Sequence, residues 1–406
     1  MRKILLISIL GLLLAGCSKV AEINPASDEL FIRYYGNADQ SGTMTDAGSM
    51  VVNESEIVVA GTIFNGENFT RDIYLFKTDL IGKIITENRI EFNTDKVLDD
   101  YGRDIKVDPN GGYYILGERD TLADEKDLVL LKVSNNLEKL WMKKLRPLGA
   151  NKSENARALC VQEDGGLAIL GEYLDDSGTL RSFLYVFYPD TPGQSWVKDY
   201  GNSGKDFNAG KSLMQRETLG YSFPGTGNNF GDTDNSQATL ILTDDTGLPE
   251  EPVPFGEENI GVDLLKFGGE YVMLSNNYDA DAVPDSVSVF RIDGEDLSAY
   301  REEKIGPENL EGRSIASTPD GYIITGAVIS GSESDICLIK TDHNIKPLWQ
   351  DDSQPAYKSY GGDGEDYGVK VAALDEGYII LGISQVAGLR MITLIRTDLE
   401  GNLITN

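Results

Sequence analysis

The chain has little of the chemistry on which most enzymes depend. Its 406 residues include one histidine, His343, and three cysteines. A Ser-His-Asp triad or a Cys-His pair needs a positioned histidine, and a zinc centre needs several His or Cys ligands. Because His343 lies in a polar hairpin turn, none of these sites can be assembled. The sequence therefore predicts that the protein is not an enzyme, with no catalytic residues and no metal cofactor.

Basic residues are also scarce. The sequence has 36 Lys and Arg against 66 Asp and Glu, a formal net charge of −30. A chain of this charge is repelled by phosphate backbones, so nucleic acid is excluded as a partner. We expect the acidity to serve mainly the solubility of an exported protein, with local cation binding as the alternative.

The three cysteines do not form a disulfide framework. Cys160 and Cys337 fall in strand-like apolar runs of different sequence repeats. We expect both to be small buried packing residues.

Cys17 ends a segment that reads as a bacterial export signal. Arg2 and Lys3 precede an apolar run, residues 4–14, and Leu14-Ala15-Gly16-Cys17 resembles a lipobox. We expect residues 1–16 to be removed, Cys17 to be lipidated, and residues 17–28 to be a tether. Ser18 is not the Asp that retains lipoproteins in the inner membrane, so the sequence predicts an outer-membrane anchor in the cell envelope. The side of that membrane stays open.

The chain contains one sequence motif many times: a turn followed by a short apolar run that ends in a small residue. Successive copies lie 50 to 56 residues apart. This period predicts a β-propeller whose blades are small radial sheets. The clear copies are 112–117, 166–171, 321–326 and 377–382, and the weaker ones are 56–61, 220–225 and 270–275.

Each repeat can be divided into four antiparallel strands. In the sixth, we expect strand one at 313–317, strand two at 322–326, strand three at 335–342 and strand four beginning near Leu348 and Trp349. All three tryptophans (Trp141, Trp196 and Trp349) would share the start of strand four. A ligand platform is one interpretation, but the shared repeat position favours wedges between adjacent blades.

The repeated turns, hairpins and Tyr-Gly-Gly links resemble those of bacterial, Bacteroidota-type lipoprotein β-propellers with quinoprotein-like and related repeats. The likeness covers residues 29–406 and is specific for fold. It implies an all-β propeller, and no quinoprotein cofactor residue maps onto this sequence.

Residues 29–406 predict one seven-bladed propeller domain of four-stranded antiparallel blades. The last repeat has no complete fourth strand, and the run from Leu30 to Gly36 looks like the missing one. We therefore expect the N-terminal strand to complete the last blade and close the ring, which removes exposed sheet edges.

The strand order places the turns between strands one and two, and three and four, on one face. The loops between strands two and three share the other face with the blade links. These loops are long and unequal, so we expect a ligand site there or at the mouth of the central channel. Alternating acidic residues in two of them could hold a ligand or a calcium ion. The pattern lacks the full twelve-residue calcium loop, and Asp, Asn and Gly also dominate plain surface loops. The candidate residues are Asn229, Asp232, Asp234, Asn235, Asn277, Asp279, Asp281 and Asp285.

Aromatic residues near the links suit sugar binding, although repeated Tyr-Gly positions more often mark a strand end packed on its neighbour. They are Tyr101, Tyr200, Phe207, Tyr357, Tyr360 and Tyr367.

Two functions fit these features. The first is a non-enzymatic, monomeric envelope lipoprotein whose propeller binds a protein partner or scaffolds a membrane complex. The alternative is a glycan-binding or glycan-processing surface lipoprotein. A role like that of the outer-membrane-protein assembly lipoprotein is weaker, because that propeller usually has eight blades.

Overall fold

Short antiparallel strands make up nearly all of the regular structure. The computed structural model describes residues 31–403 apart from 37–44, 68, 93–97, 122–124, 150–151, 202–206, 218–219, 228–235, 251, 257, 279–282, 307–308 and 350–354. Within these ranges the strands form seven separate sheets. The predicted seven-bladed propeller is therefore confirmed. Among the same residues, no helix is both long enough and apolar enough to cross a bilayer.

The first three blades follow the chain from the innermost strand outwards. Blade 1 comprises β2 (Asp46–Val52), β3 (Glu56–Asn65), β4 (Thr70–Asp79) and β5 (Ile84–Ile90). Blade 2 comprises β6 (Asp100–Val107), β7 (Tyr113–Asp120), β8 (Lys126–Val133) and β9 (Lys139–Leu145). Blade 3 comprises β10 (Glu154–Val161), β11 (Leu167–Leu174), β12 (Leu180–Phe187) and β13 (Trp196–Tyr200).

The innermost strand of blade 4 is broken into two pieces, and both pair with the second strand of the blade. This blade comprises β14 (Phe207–Ala209), β15 (Met214–Gln215), β16 (Tyr221–Gly227), β17 (Gln237–Leu242) and β18 (Val253–Phe255).

The last three blades return to four strands. Blade 5 comprises β19 (Asn259–Phe267), β20 (Glu270–Tyr278), β21 (Pro284–Asp293) and β22 (Tyr300–Ile305). Blade 6 comprises β23 (Leu310–Thr318), β24 (Gly321–Ser330), β25 (Glu333–Asp342) and β26 (Lys358–Tyr360). Blade 7 comprises β27 (Tyr367–Leu374), β28 (Gly377–Val386), β29 (Leu389–Thr397) and the N-terminal β1 (Phe31–Tyr35).

Strand β1 closes the ring as predicted. It pairs antiparallel with β29 from Phe31 opposite Arg396 to Tyr35 opposite Ile392. Phe31 and Tyr35 also join a buried cluster that contains residues of both blade 7 and blade 1. The edge of the last sheet is therefore covered by the first strand of the chain.

The hydrophobic core lies between blades. Each of the seven apolar clusters in the described chain combines residues of two neighbouring blades. The repeated glycines allow this close approach. A Cβ on Gly102 would lie 2.5 Å from the carbonyl oxygen of Gly61 in the preceding blade. Such a contact is too short for any side chain, so the blade spacing requires glycine here.

Three tyrosines tie the outer edge of one blade to the next. The hydroxyl of Tyr35 donates to the carbonyl of Gly82 at 2.6 Å, and Tyr200 and Tyr360 make the same bond to Gly247 and Gly401. A Cβ on Gly247 would meet the ring of Trp196. The tryptophans therefore pack between blades, as the shared repeat position indicated. Trp349 lies against Gly401 in the same way, and Trp141 joins the cluster between blades 2 and 3.

One predicted boundary is wrong. Strand four of blade 6 does not begin near Leu348 and Trp349; its ladder is Lys358–Tyr360. Among the described residues near Trp349, Pro347 forms an isolated bridge with Thr341 and the N–H of Leu348 donates to the carbonyl of Lys340. Pro347 has no N–H to extend that ladder.

Carboxylates at the start of strand one fasten the blade links. Asp100 accepts the backbone N–H of Phe92 at 2.9 Å, and Glu154 accepts that of Leu148 at 3.0 Å. Both side chains are buried. Burial raises the pKa of Asp100 to about 6 and that of Glu154 to about 7, although each link N–H and a nearby arginine favour the charged form.

Ring closure predicts a cooperative loss of stability when β1 is removed. Deleting Phe31–Tyr35 exposes the edge of β29, so the whole domain should melt at a lower temperature. Tyr35→Phe should lose about 1 kcal/mol of unfolding free energy, the worth of one buried hydrogen bond. Tyr34→Phe, at a half-exposed position, is the matched control. Circular dichroism melts test this, and a deletion variant that melts like the wild type would refute closure.

The link carboxylates predict that acid stabilises the fold. Their folded pKa values lie above the unfolded values near 4, so their stabilisation is complete below about pH 4 and is lost as the pH rises through 6 to 7. Each tenfold change in proton affinity is worth about 1.4 kcal/mol. The melting temperature should therefore rise from pH 8 to pH 5.

The paired variant Asp100→Asn with Glu154→Gln isolates this effect from the general repulsion of an acidic chain. It should flatten much of the pH dependence and melt higher than the wild type at pH 8. An unchanged slope would show that other groups are responsible.

Candidate functional site

The site begins with an irregularity in the innermost strands. In six blades the pairing of strand one with strand two shifts by one residue, which is a β-bulge. A bulge re-aims the extra residue. Three of the extra residues are arginines: Arg103, Arg157 and Arg313. In blade 4 the ladder ends at Ala209, and Gly210 and Lys211 follow it.

These side chains line a central cavity of about 460 Å³. Among the described residues, its lining carries three acidic side chains (Asp46, Asp104 and Glu118) and seven basic ones. The basic ones are Arg103, Lys106, Lys126, Arg157, Lys211, Arg313 and Lys370. Glu172, Glu311 and Asp263 pair with three of these basic groups from outside the lining. The local excess of positive charge is therefore small, but it is opposite in sign to the charge of the whole chain. We use the name basic channel mouth for five of these residues: Arg103, Lys126, Arg157, Lys211 and Arg313.

Each arginine of the mouth is held by one glutamate. Arg103 Nη2 donates to Glu118 at 2.9 Å, and Arg157 Nε donates to Glu172 at 2.7 Å. Arg313 makes a two-pronged contact with Glu311, at 3.0 and 3.1 Å. A guanidinium has five N–H groups, so each arginine is oriented by its partner while it keeps donors for another acceptor.

Glu118 joins two blades. One carboxylate oxygen accepts the backbone N–H of Ala156 in the next blade at 2.9 Å, and the other accepts Arg103 and, at 3.0 Å, Lys126. Burial alone would raise its pKa, but Arg103 and Lys126 hold it below the usual range. Glu172 makes the same backbone bond to Ala209. There burial outweighs Arg157, and the pKa is raised.

Lys211 is the unbalanced charge of the mouth. In the described part of the chain it has no carboxylate within ion-pair distance, whereas the arginines at the same repeat position of blades 2, 3 and 6 each pair with a glutamate. Its side chain is accessible from the lumen but enclosed by the channel walls. That enclosure, together with Arg313 and Arg157, lowers its pKa to about 8.

An ion pair crosses the channel beside the mouth. Lys370 Nζ lies 3.2 Å from Asp263 Oδ2, which joins blade 7 to blade 5. Enclosure would lower the pKa of Lys370, but Asp263 and Asp104 raise it. Asp263 also accepts the N–H of Ile315, so both charges are fixed. Lys370 is therefore held by an ion pair within the scaffold, whereas Lys211 is not.

Two of the predicted aromatic residues reach the mouth, but their rings are occupied. The guanidinium of Arg103 lies 4.9 Å and Lys126 Nζ 4.7 Å from the ring centre of Tyr101. Arg313 lies 4.0 Å from that of Tyr367. Such cation–π contacts hold the basic groups in place. The other four aromatics pack in the scaffold: Tyr200, Phe207 and Tyr360 are buried, and Tyr357 lies against the cluster of blades 5 and 6.

Most of the acidic loop residues singled out from the sequence fall in the undescribed segments. Asn229, Asp232, Asp234, Asn235, Asp279 and Asp281 lie outside the described residues, as does Cys17. The ligand or calcium hypothesis for these loops stays a prediction. Of the eight candidate residues, Asn277 and Asp285 are the two that lie in described segments.

Neither of those two faces the channel cavity. Asn277 is buried and donates to Ser286 and Ser288 of its own blade, and Asp285 pairs with Lys304 at 2.7 Å. The other notable polar groups are also structural. His343 stacks on Phe267 at 4.8 Å, and Cys160 and Cys337 are free thiols in strands.

The basic channel mouth was not predicted from the sequence, although the sequence contains a signal for it. Gly102-Arg103, Ala156-Arg157, Gly210-Lys211 and Gly312-Arg313 put a small residue before a basic one at one repeat position. Aligning the strand-one copies would have exposed this pattern.

Solved structures share the fold at low sequence identity. A puromycin hydrolase S511A mutant matches with a TM-score of 0.55 and 11% identity, over 88% of this chain and 52% of its own. Acylaminoacyl peptidase from Pyrococcus horikoshii matches with a TM-score of 0.50 and 13% identity, over 89% and 52%. This chain thus spans about half the length of these two enzymes.

A protein of unknown function from Dyadobacter fermentans matches with a TM-score of 0.45 and 12% identity, over 90% of this chain and 99% of its own. No protein-family model and no curated protein matches the sequence. The likenesses show the fold alone. The protein is a β-propeller.

The neighbours correct one prediction. The sequence predicted that the protein is not an enzyme because it lacks His- and Cys-based catalytic sets. Solved structures that share the fold include a hydrolase and peptidases, so that prediction is overturned. The missing residue sets give no ground for excluding catalysis.

The environment of Lys211 predicts an unusual titration. Its amine should be half protonated near pH 8, well below the ordinary lysine value of about 10.4. Reductive methylation with ¹³C-formaldehyde, followed by NMR between pH 6 and 11, should show one early-titrating resonance. That resonance should be missing from Lys211→Met and present in Lys346→Met, an exposed control. A spectrum in which every lysine titrates above pH 10 would contradict the described environment.

Proposed function

We propose that the protein is an envelope-anchored β-propeller that binds an anionic ligand at the basic channel mouth. The ligand class is a small carboxylate, phosphate or sulfate, or a chain end that carries one. The observation that carries the proposal is the convergence of Arg103, Arg157, Arg313 and Lys211 in one cavity of a strongly acidic chain.

The chemistry of the mouth favours an oxyanion. Guanidinium groups match the paired oxygens of carboxylates and phosphates, and their partner glutamates hold them in fixed orientations. Lys211 has no carboxylate within ion-pair distance in the described chain, so an anion supplies its missing partner. A bound anion also raises the pKa of Lys211, which couples binding to proton uptake near pH 8.

The remaining charge of the protein determines what can enter. A net charge of −30 repels long polyanions such as nucleic acids, and this repulsion acts over the whole surface. A small anion reaches the mouth, where the local charge is positive. We therefore expect selectivity for compact anions.

The cellular setting of the proposal comes from the leader. Cys17 and its flanking residues favour a lipid anchor in the outer membrane, which holds the propeller at the cell envelope.

The mouth lies towards the face of the blade links and the loops between strands two and three. Lys126 begins strand three of blade 2, and the three arginines are the fourth residues of their strands one. Lys211 lies between the two pieces of strand one in blade 4.

Isothermal titration calorimetry with phosphate, sulfate and glucuronate tests the proposal. Wild-type protein should bind at least one of them, with affinity that falls as salt increases. Lys211→Met should weaken binding about tenfold, the worth of one charge-assisted hydrogen bond. This variant leaves no carboxylate orphaned, so it should fold normally.

Lys346→Met is the matched control, because Lys346 is an exposed lysine in a hairpin on the opposite face. It should bind like the wild type. Absence of heat with all three anions at millimolar concentration would refute the proposal, and equal losses in both variants would show that the mouth is not the site.

A further inference from the structure

A second cavity adjoins the channel mouth on the same face. It has a volume of about 440 Å³, and Lys126 and Asn155 line both cavities. The channel is therefore the inner end of a longer groove that runs outwards over blades 1 to 3. A ligand that filled only the mouth would leave this rim cavity empty.

Phe69 lies at the outer end of the groove. Its side chain is 78% exposed, more than any other large hydrophobic residue described. Its backbone has φ of 57°, a left-handed conformation that is uncommon outside glycine. Phe64 contacts it edge-on, with ring centres 6.4 Å apart. Core packing therefore does not explain why an aromatic ring is held here.

The rest of the rim cavity is polar and rich in acceptors. Besides Phe69 and Leu98, its lining has Asp99, Asp120 and Lys126, with hydroxyl and amide groups from Thr70, Thr121, Ser153 and Asn155. Burial and the nearby Asp99 charge raise the pKa of Asp120, so a further anion is disfavoured. A neutral group with many hydroxyls fits this lining, because it donates to the carboxylates and places its C–H face on Phe69.

We infer that the ligand is an acidic oligosaccharide, whose charged terminal sugar occupies the basic channel mouth and whose neutral sugar lies in the rim cavity against Phe69. The inference rests on the proposed anion site and adds the chemical class of the ligand. It also assigns the two ends of the ligand to different residues, which makes them separable by experiment.

The experiment compares three probes by calorimetry: glucuronic acid, an aldotriouronic acid (one glucuronic acid linked to two xyloses) and xylotriose. The acidic trisaccharide should bind at least about tenfold more tightly than glucuronic acid, a difference of about 1.4 kcal/mol, because its neutral sugars add contacts in the rim cavity. Xylotriose should bind far more weakly. Phe69→Ala should remove the gain of the trisaccharide and leave glucuronic acid unaffected.

Two variants separate the possible failures. Lys211→Met should weaken both acidic probes, and Leu174→Ala, an exposed apolar position on the same face, should change neither. Glucuronic acid binding without any gain for the trisaccharide, and without an effect of Phe69→Ala, would overturn the sugar assignment and leave the anion site standing. A Glu-terminated aromatic tripeptide that binds more tightly through Phe69 would overturn it in favour of a peptide.

Discussion

The structure depends on the hydrogen bonds by which five blades satisfy the irregular innermost strand of the next blade. A bulge leaves backbone N–H groups out of the ladder, and a buried N–H without an acceptor is costly. Thr62, Glu118, Glu172, Thr226 and Asn276 each accept such a group from the following blade at 2.7 to 3.2 Å. The same bulges turn basic residues into the channel. The irregular innermost strands therefore both join neighbouring blades and position the basic residues of the candidate site.

Glu118 and Glu172 show how closely the two roles are coupled. One oxygen of each fastens the next blade, and the other orients an arginine of the mouth. The guanidinium groups are thus fixed before any ligand arrives, which lowers the entropy cost of binding. Lys211 differs because it has no such partner in the described chain. We regard it as the position where the scaffold leaves room for an external anion.

Much of the fold is readable from the sequence, and the site is not. The spacing of the glycine-containing motifs reflects contacts that recur between blades, such as Gly61 against Gly102. It therefore predicts the number of blades and the closing strand. Arg103 and Arg313 are 210 residues apart and meet only because the ring closes. Each alone looks like an ordinary surface cation, and the acidity of the chain points away from an anion site. The acidic loops were selected by their composition, whereas the proposed site is built from the basic exceptions to that composition.

The most direct test of the central claim is the position of a bound anion. A crystal soaked in selenate, whose selenium scatters anomalously, should show a peak in the channel mouth within hydrogen-bond distance of Lys211 and at least one of Arg103, Arg157 and Arg313. The peak should be lost in Lys211→Met. An empty channel, with selenate only at scattered surface lysines, would contradict the account.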